Sequence, residues 1–260
     1  MAGPPPHSPY PPHRAPEDWY ARSFGELYPL LYQHRDDASA AAEAAAFLKL
    51  LKLPAAARVL DICCGTGRHL AAMCQQNLNA WGVDLSWPLL KSAAERPGLA
   101  GRVVRADLRA LPFAGGSFDA AVNLFTSFGY FAEDAANEQA LKQMASTLRP
   151  GGKLLMDLMH APRLRETLEP HSRRTVQGPR GEVLVENRRQ IIDQRVVNRI
   201  DVNDGTEQRT FTESVRLYEP AEFMTMLEAA GLRAVQLVGS FEGDPLTADS
   251  ARMIAIGVRQ

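Results

Sequence analysis

The sequence of 260 residues contains no apolar run long enough to cross a bilayer, and its start has no charged-then-apolar leader pattern. A membrane span and a secretory leader are therefore not expected. Cysteine is scarce. There are three, and Cys63 and Cys64 are adjacent, which suits neither a disulfide framework nor the paired spacing of a zinc site. No metal site is expected, and reduced thiols point to the cytoplasm. Charge of one sign is also missing. The formal net charge of −1 gives no global reason to expect nucleic acid or an anionic membrane as a partner. What remains, 45% hydrophobic and 23% charged residues, is the composition of a folded globular chain.

Residues 1–16 hold seven prolines and almost no aliphatic side chains, so a disordered or polyproline-like tail is expected there. Over 17–53 the spacing turns helical, with Phe24, Leu27, Tyr28 and Leu31 at three- and four-residue intervals and an alanine-rich run after them. Residues 54–160 then alternate. Short apolar runs at 58–63, 79–85, 102–106, 118–124 and 153–159 read as strands. An amphipathic helix carrying Leu141, Met144, Ala145 and Leu148 precedes the last, and Arg149-Pro150-Gly151-Gly152 is expected to end it in a sharp reversal. Strands separated by helices imply a parallel α/β sheet. Over 161–218 the order changes: 182–192, 195–203 and 208–218 read as strands with no helix between them, joined in part by a turn at Asp204-Gly205. This segment is expected to be an antiparallel insertion. Residues 219–260 close with a helix from Pro220 to Gly231 and two strands.

The run Val59-Leu60-Asp61-Ile62-Cys63-Cys64-Gly65-Thr66-Gly67-Arg68 takes a buried strand into glycines and then a helix, so that backbone amides can approach a ligand where a side chain would block it. Asp84 follows at the next strand end, placed to accept ribose hydroxyls, and Asp107 ends the third, placed to reach an adenine edge. Open α/β sheets bind ligands at the carboxyl ends of adjacent strands. A dinucleotide fingerprint would need a third glycine, and Leu70 stands in its place.

In this order the motifs resemble those of class I S-adenosylmethionine (SAM)-dependent methyltransferases. Asp61 to Gly67 is similar to the family's first motif and Gly82-Val83-Asp84-Leu85-Ser86 to its second. Ala106-Asp107-Leu108-Arg109 followed by Leu111-Pro112-Phe113 is similar to its third, and Phe118-Asp119-Ala120-Ala121-Val122 to its fourth. Leu148 to Gly152 resembles the turn before the fifth strand. The resemblance implies a Rossmann-like, doubly wound sheet of seven strands with the last antiparallel. It implies SAM as cofactor and S-adenosylhomocysteine (SAH) as product. By carry-over Gly65 and Gly67 line the methionine part, Asp84 holds the ribose, Asp107 the adenine amino group, Leu85 and Leu108 pack beside the ring, and Arg68 also binds the cofactor. Asp61 orders the loop and reaches the SAM ammonium, Asn123 lies at the fourth strand end, and Tyr28, Tyr32 and Arg35 of the amino-terminal helices close over the site. The two tyrosines equally fit ordinary core contacts.

The loop Asn123-Leu124-Phe125-Thr126-Ser127-Phe128-Gly129-Tyr130-Phe131 is expected to wall the acceptor, with Phe125, Ser127, Tyr130 and Phe131 in the pocket. It lacks the Asn/Asp-Pro-Pro-aromatic motif of relatives that methylate amide or exocyclic nitrogens, so a nitrogen or oxygen of a small molecule is the expected target. An RNA methyltransferase and a non-catalytic SAM-binding protein are the alternatives. His160 and His69 are the candidate bases, though a histidine at either place is more often a helix- or strand-end residue with no chemical role. Residues 162–200 carry nine arginines against five acidic residues, expected as solvated strand faces, a lid, or the surface of a homodimer.

Overall fold

The computed structural model describes residues 15–25 and 27–260. Most of the tail expected over 1–16 therefore lies outside the described residues. The chain begins with α1 (Trp19–Ser23) and α2 (Tyr28–Leu31), then α3 (Asp37–Leu51), whose amino end is capped by the Asp36 carboxylate accepting from the Ser39 amide at 2.7 Å. The continuous helical spacing at 24–31 does not give one helix. The backbone bends at Phe24 and Gly25, which separates the two short helices.

The alternating region follows as β1 (Arg58–Ile62), α4 (Arg68–Gln75), β2 (Asn79–Asp84), α5 (Trp87–Ala94), β3 (Val103–Arg105), β4 (Phe118–Asn123), α6 (Asp134–Ser146), β5 (Leu148–Met159) and α7 (Ala161–Thr167). Next come β6 (His171–Gly178), β7 (Gly181–Ile192), β8 (Arg195–Asn203), β9 (Gln208–Arg216), α8 (Pro220–Ala229), β10 (Leu232–Val238) and β11 (Arg252–Arg259). Seven strands form one sheet in the order β10-β11-β5-β4-β1-β2-β3. Pairing among β1 to β5 is parallel, and β11 runs antiparallel to both β10 and β5, as the resemblance implied.

Burial alternates with the pleat. Leu60, Ile62, Leu154 and Met156 point to one face, against Leu141 and Met144 of α6 and Phe223 and Leu227 of α8. Val59, Val122, Leu155 and Ile254 point to the other, against Phe47 and Leu51 of α3 and Leu70 and Met73 of α4. Each fully buried side chain of this size contributes roughly 1.5–3 kcal/mol relative to exposure, so the sheet is held from both faces. The order reverses between β1 and β4, and the cleft outside their carboxyl ends is where such a sheet receives a ligand.

Two local expectations are corrected. Arg149 to Gly152 is not a free reversal, because β5 already begins at Leu148. The pairing slips between Phe118 and Ala120, and this irregularity takes up the proline and glycines. The insertion forms a separate sheet of four strands, β6-β7-β8-β9, not three. In β6 only Val176 is buried, so that edge strand carries no apolar alternation to read. The Asp204-Gly205 turn joins β8 to β9 as expected, with Asp204 accepting from the Thr206 and Glu207 amides. No described helix is long and apolar enough to cross a membrane.

Candidate active site

β1 delivers the chain to a loop in which Cys63, Gly65 and Gly67 all have positive φ (63°, 54° and 73°). A side chain on Gly67 would meet Leu99 at 2.9 Å and Ala93 at 3.1 Å, so only glycine lets α4 start there. Leu70 has a structural use: it and Cys64 pack over Gly82 of β2, where an added Cβ would meet them at 2.8 and 2.7 Å. The close helix–strand approach that a third loop glycine would allow is made on the strand side.

The three acidic residues are held differently. Asp84 accepts from the Gly65 amide at 2.9 Å and the Ser86 amide at 2.8 Å, which ties the glycine loop to the end of β2. Burial raises its carboxyl, and those backbone donors oppose the rise. Asp61 is 3% exposed, and its Oδ2 has no hydrogen-bond partner. Burial first, and then the charge of Asp84, push its carboxyl up to about 7, against the nearby Arg68 cation. Asp107 lies two residues beyond β3 and pairs with Arg109, at 2.7 Å from Nη2 and 2.8 Å from the Arg109 amide. Burial raises this carboxyl, but the Arg109 contacts outweigh it and leave it below the usual range.

Two cavities meet at the glycine loop and share Tyr28, Cys63, Gly65 and Ser127. The smaller, about 260 Å³, lies among Asp84, Leu85, Leu89, Asp107, Leu108 and Phe131, beneath Tyr20, Phe24 and Tyr28. The larger, about 690 Å³, contains Asp61, Cys64, Thr66, Arg68, Arg35 and Phe125. A third, about 400 Å³, adjoins both through Tyr28, and lies between the aromatic loop, α2 and the four-stranded sheet. Its walls include Tyr32, His34, Arg35, Phe125, Tyr130, Arg174, Asn187, Arg189, Asn198 and Glu213.

The aromatic loop is strained at its first turn. Phe125 and Thr126 both adopt left-handed φ, 55° and 59°, and Asp157 of β5 secures them by accepting from the Phe125 amide at 2.9 Å. Arg252 pairs with Asp157 at 2.9 Å, while burial holds that carboxyl up at about 6. The Phe125 ring lies 4.7 Å from the Arg35 guanidinium and 5.6 Å from that of Arg252. Tyr130 packs against Trp19 at 4.8 Å and stacks on Phe24 at 5.6 Å. The amino-terminal helices thus roof the cleft with aromatic side chains. They are pinned by Trp19 Nε1 donating to the Tyr130 carbonyl (3.2 Å) and Ser86 Oγ donating to the Phe24 carbonyl (2.5 Å).

Most residues singled out in the sequence therefore converge on one cleft. Asn123 does not line it: fully buried, its Nδ2 donates to the Ile62 carbonyl at 3.1 Å and braces the loop from behind. His160 lines none of the three cavities. It is 4% exposed, precedes α7, and its Nδ1 lies 2.9 Å from the Ser250 carbonyl oxygen. His69 borders the larger cavity, with Nε2 2.7 Å from the Glu43 carboxylate. Sequence reading missed Trp19, Asp157 and Glu213. Only a buried charge in β5 could have pointed to the second, and nothing local marks the others. The insertion's arginines are largely taken up internally: Arg188 and Arg199 pair with Asp201, Arg180 with Asp204, and Arg165 with Glu219. Arg195 binds carbonyls of the aromatic loop.

Strand order, glycine loop and a two-ended cleft define a Rossmann-like enzyme built for a nucleoside with a charged appendage. A family model described as a methyltransferase domain matches residues 59–152. The structure is similar to that of the sugar N-methyltransferase KedS8 from a Streptoalloteichus species, at 30% identity and a TM-score of 0.69, covering 91% of this chain and 94% of that one. It is also similar to a SAM-bound amino pentose methyltransferase from Micromonospora echinaspora, at 25% identity and a TM-score of 0.67, covering 90% and 97%. In sequence it is 27% identical over 231 residues to the dTDP-3-amino-3,4,6-trideoxy-alpha-D-glucopyranose N,N-dimethyltransferase of Streptomyces venezuelae, covering 86% of this chain and 96% of that protein. The chain belongs to the class I SAM-dependent methyltransferases. It is an enzyme of that family, and its cofactor is SAM.

Proposed function

We propose that this methyltransferase acts on an amine nitrogen of a small-molecule acceptor, with an amino sugar as the leading class. The observation that carries the reading is the third cavity, which adjoins the two cofactor cavities at Tyr28 and the aromatic loop and is closed by the four-stranded sheet acting as a lid. The cofactor fits the cleft on structural grounds. Asp61 lines the larger cavity and its buried Oδ2 has no partner in the protein, a shortfall that a ligand ammonium would meet. In this assignment Asp84 accepts from the ribose hydroxyls, and Asp107 from the adenine amino group, with Leu85 and Leu108 against the ring. Gly65 and Gly67 make room for the methionine part, Arg68 and Arg35 face its carboxylate, and Tyr28 and Tyr32 close over it. SAM supplies a methyl group already activated on a sulfonium, so the protein's main task is to position the acceptor and exclude water. Phe125 and Tyr130 wall the approach, whereas Ser127 lies where the two cofactor cavities meet and Phe131 lines the adenine end. His160 shapes the strand end and takes no proton.

Arg174 and Arg189 also line the third cavity, bonded only to neutral oxygens among the described residues. They suit an acceptor with an anionic portion, as in the nucleotide-linked amino sugar that the Streptomyces venezuelae relative methylates. The internal pairing of the other insertion arginines supports a small acceptor over RNA. The three free cysteines support a cytoplasmic enzyme. Incubation with methyl-labelled SAM and a dTDP-linked 3-amino sugar, alongside its 3-hydroxy counterpart, tests the proposal. Label is expected on the amine alone, and label on neither or only on the hydroxyl sugar overturns it.

A further inference from the structure

Among the described residues the third cavity contains one carboxylate, Glu213, and SAM binding makes no use of it. Glu213 of β9 accepts from Tyr32 Oη at 3.3 Å through Oε1 and from Asn198 Nδ2 at 3.3 Å through Oε2. Among the described residues it forms no ion pair, although Arg35, Arg189, Arg174 and His34 share the cavity with it. Next to it the Asn187 Nδ2 and Asn198 Oδ1 atoms are buried without partners, and Asn187 is 3% exposed. Unpaired polar groups inside a protein are costly, and two of them beside a buried carboxylate at a cavity wall are the form an unfilled polar subsite takes. Burial raises the Glu213 carboxyl above its usual value, with Asn198, Tyr32 and Arg35 opposing, which makes it a better proton acceptor than a surface glutamate.

Resting on the methyltransferase reading, we propose that Glu213 selects the acceptor by its amine, pairing with the ammonium form and taking the proton that the nitrogen must lose before it can attack. The N–H bond breaks with its electron pair left on nitrogen as the attacking lone pair, and an O–H bond forms on the Glu213 carboxylate. Asn187 and Asn198 offer the amide donor and carbonyl acceptor that orient the neighbouring polar groups of the acceptor. The carboxyl returns its proton to solvent when the product leaves. Glu213 is the specificity-determining residue of this site because a hydroxyl acceptor brings no cation to pair with it.

Full-length wild type and Glu213→Gln, each saturated with SAH, are titrated calorimetrically with cyclohexylamine and with the neutral isostere cyclohexanol. Glutamine keeps the shape but not the charge: its oxygen can still accept from Asn198 Nδ2, while its amide donates to Tyr32 Oη. Wild type is expected to bind the amine at least about tenfold more tightly than the alcohol, the scale of one charge-assisted contact. The variant should lose that preference with its alcohol and SAH affinities unchanged. A wild type without the preference, or a variant that keeps it, overturns the proposal. Failure of SAH to bind wild type instead removes the methyltransferase reading, and the same amine titration without SAH still reports on Glu213.

Discussion

Asp61 and Asp84 end neighbouring parallel strands, and burial raises both carboxyls, but only Asp84 has its oxygens satisfied by the protein. Asp61 therefore makes the sharper prediction. Its folded pKa of about 7 lies above the ordinary 3.8, so its contribution to stability is greatest below about pH 4 and is lost as pH rises through 7. A ligand ammonium needs the ionised form. SAM affinity measured by calorimetry should rise with pH, by up to about tenfold per unit, until it levels above pH 7. Asp61→Asn should bind more weakly and show no such slope. An exposed strand end would have let Asp84 be replaced without loss of stability, but its bonds to Gly65 and Ser86 say otherwise. Asp84→Ala should lower both SAM affinity and melting temperature, by about 1.5–3 kcal/mol for the binding part. His160→Asn should leave turnover within about tenfold and the pH profile unchanged, since the ring does not reach the cavities. Glu213→Gln, assayed with an amine the enzyme accepts, should lose about 10²-fold or more at neutral pH and recover as the amine sheds its own proton at alkaline pH.

Among the elements, the strongest couplings run between parts distant in sequence. The aromatic loop, β9 and the amino-terminal helices form one closure. The Arg216 amide donates to the Gly129 carbonyl at 2.8 Å, Ser23 Oγ donates to the Thr212 carbonyl at 3.2 Å, and Trp19 reaches Tyr130. Gly129 has φ of +85°, and an added Cβ would meet the Arg216 carbonyl at 3.0 Å. Gly129→Ala should cost about 1–2 kcal/mol in denaturant unfolding and reduce acceptor turnover more than SAM affinity. Phe24→Ala removes one aromatic partner from the roof. Stopped-flow should show SAM leaving about 3–10-fold faster, matching the roughly 0.5–1.5 kcal/mol of such a pair. None of these contacts was legible beforehand. The glycine loop, β1 to β5 and α6 were, because their apolar spacing is periodic and their motifs are local. The strand β6 was not, because its burial rests on Val176 alone, and the break at Phe24 was hidden because helical spacing persists across it.

For the whole molecule, ligand binding and folding share one equilibrium. SAM at about 100 times its dissociation constant should stabilise the protein by about 2.7 kcal/mol, raising the melting temperature by roughly 5–10 °C, whereas NAD should give no shift. The NAD result follows from Leu70, which fills the place of a third loop glycine and packs on Gly82. By itself the sequence determined the seven-stranded α/β core, the glycine loop and the acidic residues beside it, because strand alternation, glycine placement and strand-end carboxylates act over a few residues at a time. Only the tertiary structure decided that His160 stays away from the cavities, that Asp61 is left unpaired, and that Glu213 of the insertion faces the aromatic loop across a cavity. Those outcomes depend on which surfaces meet after the chain has crossed the sheet, and that information is carried by packing between distant segments.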